Sequence, residues 1–199
     1  MTSPLPILMY HQIDLSAPRG TDYRSLTVDP RRFASQMRWM SRLGYRGLSM
    51  RDLMPYLTGE RTGKVFGITF DDGFRNVYEH ALPVLKAAGF TSTNYFVANQ
   101  LDGSNAWDAD KNMPQVPLMS LAQIQEWAQS GQEGGSHTLN HVHLPALSDE
   151  QARAEILQSR YVLQNLVQQE ITAFCYPFGD FSAQHCLMAK EAGYSNATT

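Results

Sequence analysis

Short apolar runs bounded by turn residues alternate along the chain with longer segments whose apolar positions recur every three to four residues. The first run, Ile7-Leu8-Met9-Tyr10, follows Pro6 and reads as a strand. The next segment predicts a helix: Asp29 is placed to cap it, Pro30 suits its first position, and Phe33, Met37, Met40 and Leu43 make one stripe before Gly44. A second strand over 45–48 leads to a short helix capped by Ser49. The third strand, Val65–Phe70, stops abruptly at Asp71-Asp72-Gly73, and a helix through Leu82, Leu85 and Ala88 ends at Gly89.

A fourth strand is expected over 92–98. The polar stretch 99–119, with Gly103, Pro114 and Pro117, reads as a long loop, and loops of that length in a compact domain are often functional. Ser120 with Gln123, and Ser148 with Gln151, have capping-box spacing and open two further helices, the second ending near Gln169. Between them lies a short fifth strand, Glu133–Ser136. A sixth is expected over 172–176, and a seventh over 195–198 after a helix ending at Ala192.

Seven strands alternating with helices predict an α/β fold with parallel strands, either a barrel or an open doubly wound sheet. The polar residues decide between them. His11, Asp71 and Asp72, His137, and Pro177-Phe178-Gly179 each follow a different strand, so all sit at carboxyl ends. A barrel gathers those ends into one mouth. The expectation is therefore a distorted barrel of fewer than eight strands, with residues 1–199 forming one domain.

Composition narrows the partners. With 43% hydrophobic and 18% charged residues, the chain is that of an ordinary folded protein. Its 16 Lys and Arg against 19 Asp and Glu give a net charge of −3, with no basic face for a nucleic acid. No apolar run approaches the ~18 residues of a membrane-spanning helix. The N-terminus, Met1-Thr-Ser-Pro-Leu-Pro, lacks a basic region and a small-residue cleavage site, so a cytoplasmic location is expected. Two cysteines are too few for a disulfide framework, and Cys175, in an apolar run, reads as a buried thiol.

The candidate chemistry lies at the strand ends. Asp71 and Asp72 repel each other if both are buried, unless a cation or hydrogen bonds offset the charge. Adjacent residues leaving a strand point in different directions, so one can bind a metal while the other faces a substrate. The same Asp-Gly step is also common in solvated turns. His137 and His141, four apart, would share one side of a helical turn; read alone, the pair also suits surface or capping positions. Three of the six histidines fall within 137–143. Two His and one Asp make a three-ligand site with open positions, suited to Zn2+ and open to Co2+, Ni2+, Mn2+ or Fe2+.

His143 should point elsewhere, and His80 and His185 should be solvated on helices. His11 is either a proton donor or a structural histidine. Tyr176, Pro177 and Phe178 offer aromatic surface for a sugar ring, and the Phe178 N–H can face a developing oxyanion. Trp107, on the long loop, is placed to shape a substrate groove.

Thr69-Phe-Asp-Asp-Gly73 followed by Ser136-His-Thr-x-x-His141 resembles the polysaccharide deacetylase family, carbohydrate esterase family four. The similarity runs from Pro6 to Ala197 and includes Leu8-Met-Tyr-His11, Ala87-Ala-Gly89, Tyr176-Pro-Phe-Gly179 and Ala192-Gly-Tyr194. The resemblance implies a (β/α)7 barrel that hydrolyses the N-acetyl amide of N-acetylglucosamine-type poly-, oligo- or lipid-linked saccharides. It implies that Asp71 is the general base for a metal-activated water, and that Asp72, His137 and His141 ligate the metal. It further implies that the metal and the Phe178 amide stabilise the oxyanion. Many members carry the acid histidine in a C-terminal Leu-His motif, and Thr199 precedes any such motif. Members that act on biofilm poly-N-acetylglucosamine carry it instead in an N-terminal Tyr-His, in a circularly permuted arrangement. Tyr10-His11 resembles that variant, which makes His11 the general acid.

Two departures stand out. Cys175 occupies the place of the arginine in the family's Arg-x-Pro motif, and no Asp-Trp segment is identifiable. The early end also implies that a terminal strand or helix of the family pattern is missing. Two alternatives keep the barrel: a deacetylase of a small amide or an O-acetyl sugar ester, and a catalytically silent carbohydrate-binding module.

Overall fold

A computed structural model describes residues 4–21, 23–111 and 113–199, so the reading of Met1-Thr-Ser3 lies outside the described residues. In chain order the elements are β1 (Ile7–Tyr10), β2 (Gln12–Ile13), β3 (Thr27–Val28), α1 (Pro30–Arg42), β4 (Arg46–Leu48), α2 (Met50–Leu57), β5 (Val65–Phe70), α3 (Arg75–His80) and α4 (Leu82–Ala88). They continue with β6 (Thr93–Phe96), α5 (Leu121–Gln129), β7 (Glu133–Ser136), α6 (Asp149–Val167), β8 (Ala173–Cys175), α7 (Ala183–Glu191) and β9 (Asn196–Thr198).

Seven strands pair in parallel in the order β1-β5-β6-β7-β8-β9, with β4 also on β5. β5 divides its second edge: its first half, Val65 to Gly67, pairs with β4, and Thr69 and Phe70 pair with β6. With helices outside, the sheet curls into a half-barrel whose edges are β1 and β9. All seven expected strands are therefore present. β2 and β3, unforeseen, form a separate two-stranded parallel ladder.

The two faces of the sheet carry separate cores. Phe66, Ile68 and Phe70 of β5 point into the larger one with Phe33, Met37 and Trp127, whereas Val65 joins Leu48, Leu53, Tyr95 and Cys175. Alternation along one strand thus feeds both, as expected of a strand buried on both sides.

Local signals mostly act as expected. Asp29 accepts the Arg31 and Arg32 amides, Ser49 accepts that of Asp52, and both capping boxes form. Gly89 ends α4 at a φ of 65. Leu43 is 55% exposed, because it caps α1 rather than extending its stripe. α6 ends at Val167, where Gln168 turns left-handed at a φ of 57. The 99–119 stretch is more ordered than a plain loop: it contains a 3-10 segment, Ala106–Lys111, and closes on itself through Ser104 and Pro117. His185 is buried rather than solvated, since its Nδ1 accepts the Ser182 N–H at the start of α7.

Candidate active site

Register places the first two groups. Tyr10 of β1 sits opposite Phe70 of β5, and the Asp71 N–H continues the ladder to the Tyr10 carbonyl at 2.9 Å. His11 and Asp71 thus leave adjacent strand ends together. The chain then turns left-handed at Asp72 (φ 75) and Gly73 (φ 77). Asp tolerates that region better than most residues. At Gly73 a Cβ would meet Phe96 at 2.8 Å, so only glycine fits.

The two histidines follow β7, whose Gly135 lets the strand pass Tyr95, where a Cβ would sit 2.4 Å from the ring. The segment from His137 to His141 is a turn rather than the helical turn expected, because Thr138 (φ 67) and His141 (φ 56) are both left-handed. Glu155 of α6 holds the turn, accepting the Leu139 and Asn140 amides at 2.9 and 3.1 Å and the Asn140 side chain at 2.6 Å. The Thr138 hydroxyl accepts the His141 N–H at 3.0 Å.

This folding brings Asp72, His137 and His141 together. Asp72 Oδ1 lies 3.4 Å from His137 Nε2 and 3.2 Å from His141 Nε2, with all three side chains buried. Neither contact has hydrogen-bond geometry, so among the described residues Asp72 Oδ1 is a buried oxygen without a hydrogen-bond partner. His137 Nδ1 donates to the Cys175 carbonyl at 2.9 Å, which leaves its Nε2 lone pair facing Asp72. Ligands at ~2.0–2.1 Å from a tetrahedral cation stand about 3.3 Å apart, so this donor set fits a divalent metal of the zinc type. Asp71, His137 and Cys175 form a second compact group, which shares His137 with the first.

The two aspartates differ in electrostatics. Burial raises the Asp71 carboxyl above its ordinary range and the Asp72 charge adds to this, while His137 and His11 pull it down. At Asp72 burial also acts upward, but the two imidazoles outweigh it and hold the carboxyl well below that range. Neighbouring carboxyls pushed apart in this way can take different roles, Asp72 as a permanent anion and Asp71 as a proton acceptor. Asp71 Oδ1 is buried without a partner among the described residues, and Oδ2 faces the Cys175 thiol at 3.7 Å.

These groups line a cavity of about 440 Å³ whose wall includes His11, Asp71, Asp72, His137 and His141. Trp107, Tyr176 and Phe178 line it too, whereas Pro177 is buried and not part of the wall. The aromatic rings are largely engaged. Trp107 stacks on His141 at 4.4 Å between centroids, and Tyr176 stacks on Phe181 at 4.7 Å. Phe178 stacks on His143 at 3.8 Å and has the Lys111 ammonium 4.6 Å from its centroid. Phe178 is left-handed (φ 61), and among the described residues its N–H has no acceptor, while the next two amides donate to Tyr176 and Pro177. His143 meets Asp180 at 3.3 Å and is not part of the group formed by Asp72, His137 and His141.

Sequence reasoning missed Glu155, Asp108 and Lys111. Asp108 is 7% exposed, lines the cavity and pairs with Lys111 at 3.0 Å. Its place beside Trp107 on the long loop was the only signal available.

Comparison with known proteins agrees with this geometry. The family model described as polysaccharide deacetylase matches residues 58–197. The Bacillus subtilis protein YxkH is 30% identical over 197 residues, covering 98% of this chain and 64% of its own length. A poly-beta-1,6-N-acetyl-D-glucosamine N-deacetylase of Staphylococcus epidermidis is 23% identical over 168 residues, 79% of this chain and 56% of that protein. The chain thus spans less than two thirds of the length of these curated relatives. The solved structure of the Streptococcus pyogenes deacetylase PplD in complex with acetate superposes with a TM-score of 0.82 at 28% identity, covering 98% of this chain and 82% of that one. With the motif residues gathered at one strand-end cavity and most of the chain matched, the chain belongs to the polysaccharide deacetylase family.

Proposed function

We propose that this protein is a metal-dependent deacetylase that hydrolyses the N-acetyl amide of N-acetylglucosamine-type saccharides. The observation that carries the reading is the split carboxylate pair: Asp72 is turned onto two histidines, while Asp71, a residue of the same cavity wall, has a buried oxygen with no hydrogen-bond partner among the described residues.

Asp72, His137 and His141 would hold the cation. When bound, it would supply Lewis acidity and make water acidic enough to be deprotonated near neutral pH. Asp71 Oδ1 is the acceptor for that proton, and its raised proton affinity suits the task. The attacking oxygen adds to the acetyl carbon, and the Phe178 N–H is the donor available to the oxygen that gains charge. His11, beside Asp71 on the cavity wall, gives a proton to the departing sugar nitrogen as the amide bond breaks. Acetate and a free amino sugar result. The likeness to a poly-N-acetylglucosamine deacetylase and to a deacetylase holding acetate supports this substrate class.

Chelation followed by metal return should restore acetate release from an N-acetylglucosamine oligomer. Metal-loaded protein that bound such oligomers and released no acetate would instead establish a carbohydrate-binding role.

A further inference from the structure

Cys175 touches both the proposed base and one proposed ligand. It ends β8, is 1% exposed, and pairs with Thr198 of β9, while the preceding residue, Phe174, pairs with Ser136 of β7. Ladders on both sides therefore set its backbone. From that fixed point its carbonyl accepts the His137 Nδ1–H at 2.9 Å, and its Sγ lies 3.7 Å from Asp71 Oδ2.

We propose that Cys175 is a positioning residue for Asp71: its S–H donates to Oδ2 and leaves Oδ1 as the oxygen free to take a proton. This rests on the reading of Asp71 as the base. The asymmetry of the carboxylate is the main support. One oxygen has the thiol, while the other is buried, without a partner among the described residues, and part of a residue on the cavity wall. Without a donor on Oδ2 the two oxygens would be equivalent, and the carboxylate could turn its free edge away from the reacting water.

A thiol is also chemically suited to the position. It is a weak, neutral donor. A cationic donor there would favour the ionised carboxylate strongly and weaken it as a base. The thiol thus orients Asp71 through a single weak, uncharged bond. A competing acceptor exists in the Tyr176 carbonyl, 4.0 Å from Sγ. One S–H cannot serve both well, and the ionised carboxylate is both closer and the stronger acceptor. The bland alternative is that Cys175 only fills space among Leu48, Leu53, Val65 and Tyr95.

Two measurements separate these roles. The first needs no activity. In a Cys186→Ala background, which removes the exposed second thiol, infrared spectroscopy reads the S–H stretch of Cys175 alone. Donation to a carboxylate lowers that frequency, and Asp71→Ala should raise it. A band that stays in place would show the thiol donating to Tyr176 or to nothing, and would overturn the proposal whether or not the protein deacetylates. The second compares Cys175→Ser, which keeps a donor, with Cys175→Ala, which does not. The Ala variant should lose about three- to tenfold in kcat with KM and metal affinity unchanged, the scale of one modest hydrogen bond, and Ser should recover most of it. A space-filling role predicts that Ser, a hydroxyl in an apolar cluster, does no better than Ala. Failure of the unaltered protein to release acetate would refute the deacetylase reading instead, and the infrared result would still decide the contact.

Discussion

The turn that carries His141 depends on one residue far from the motif, and Glu155→Ala tests that dependence. Glu155 accepts three hydrogen bonds from Leu139 and Asn140. Bonds to a charged acceptor contribute about 1.5–3 kcal/mol each when sheltered. Two of the three go to exposed Asn140, where water replaces the carboxylate at little cost. The net loss is then about 2–3 kcal/mol, dominated by the half-buried Leu139 amide. In a chain of 199 residues this lowers the melting temperature by about 5–8 °C.

The functional effect exceeds the stability effect, because the turn contains two left-handed residues, Thr138 and His141. Such conformations cost about 1–3 kcal/mol each and persist only where the surroundings enforce them. Released from Glu155, the turn relaxes and His141 leaves its place near Asp72. Metal affinity, measured by competing Co2+ against a chelator, should fall about ten- to a hundredfold. Glu155→Gln, which keeps one oxygen for the two backbone amides, should fall between Ala and the unaltered protein. An Ala variant that holds metal within about twofold and melts within about 1 °C of the parent would refute the reasoning.

Asp72→Ala should lower metal affinity about a hundredfold or more by removing the proposed anionic ligand, whereas Asp71→Asn should retain metal and lose about 10²–10⁴ in kcat. Equal metal loss in both would sink the division of roles. His11→Ala should lower turnover about a hundredfold at unchanged metal affinity, and unchanged turnover would return His11 to a structural role. Burial raises the folded-state pKa of Glu133, whose Oε1 has no hydrogen-bond partner among the described residues. Its stabilising contribution is therefore fully present below the unfolded value of about 4.3 and is lost as pH rises through the folded value. Urea melts of the parent and Glu133→Gln should show the parent losing ground relative to the variant as pH rises, and a constant difference would contradict this.

Much of the site's identity was legible in sequence, because a strand end is a local event. The apolar run Val65–Phe70 and the break at Asp71-Asp72-Gly73 mark a carboxyl end without reference to any partner. The capping boxes at Ser120 and Ser148 are equally local: each closes within four residues. These signals determined the alternation of strands and helices, the parallel α/β class, and the gathering of His11, Asp71, Asp72, His137 and His141 at strand ends. Other features were decided only by the tertiary structure. Which partner each aspartate faces follows from the left-handed turn at Asp72. That His11 sits beside Asp71 depends on β1 aligning Tyr10 with Phe70. The shape of the histidine turn is enforced by Glu155, and the thiol beside Asp71 comes from 104 residues away. The physical reason is range. Periodicity and capping report burial and hydrogen bonding within a few residues, whereas the contacts that tune this site depend on ladder registers and sheet curvature that arise only when distant strands pair.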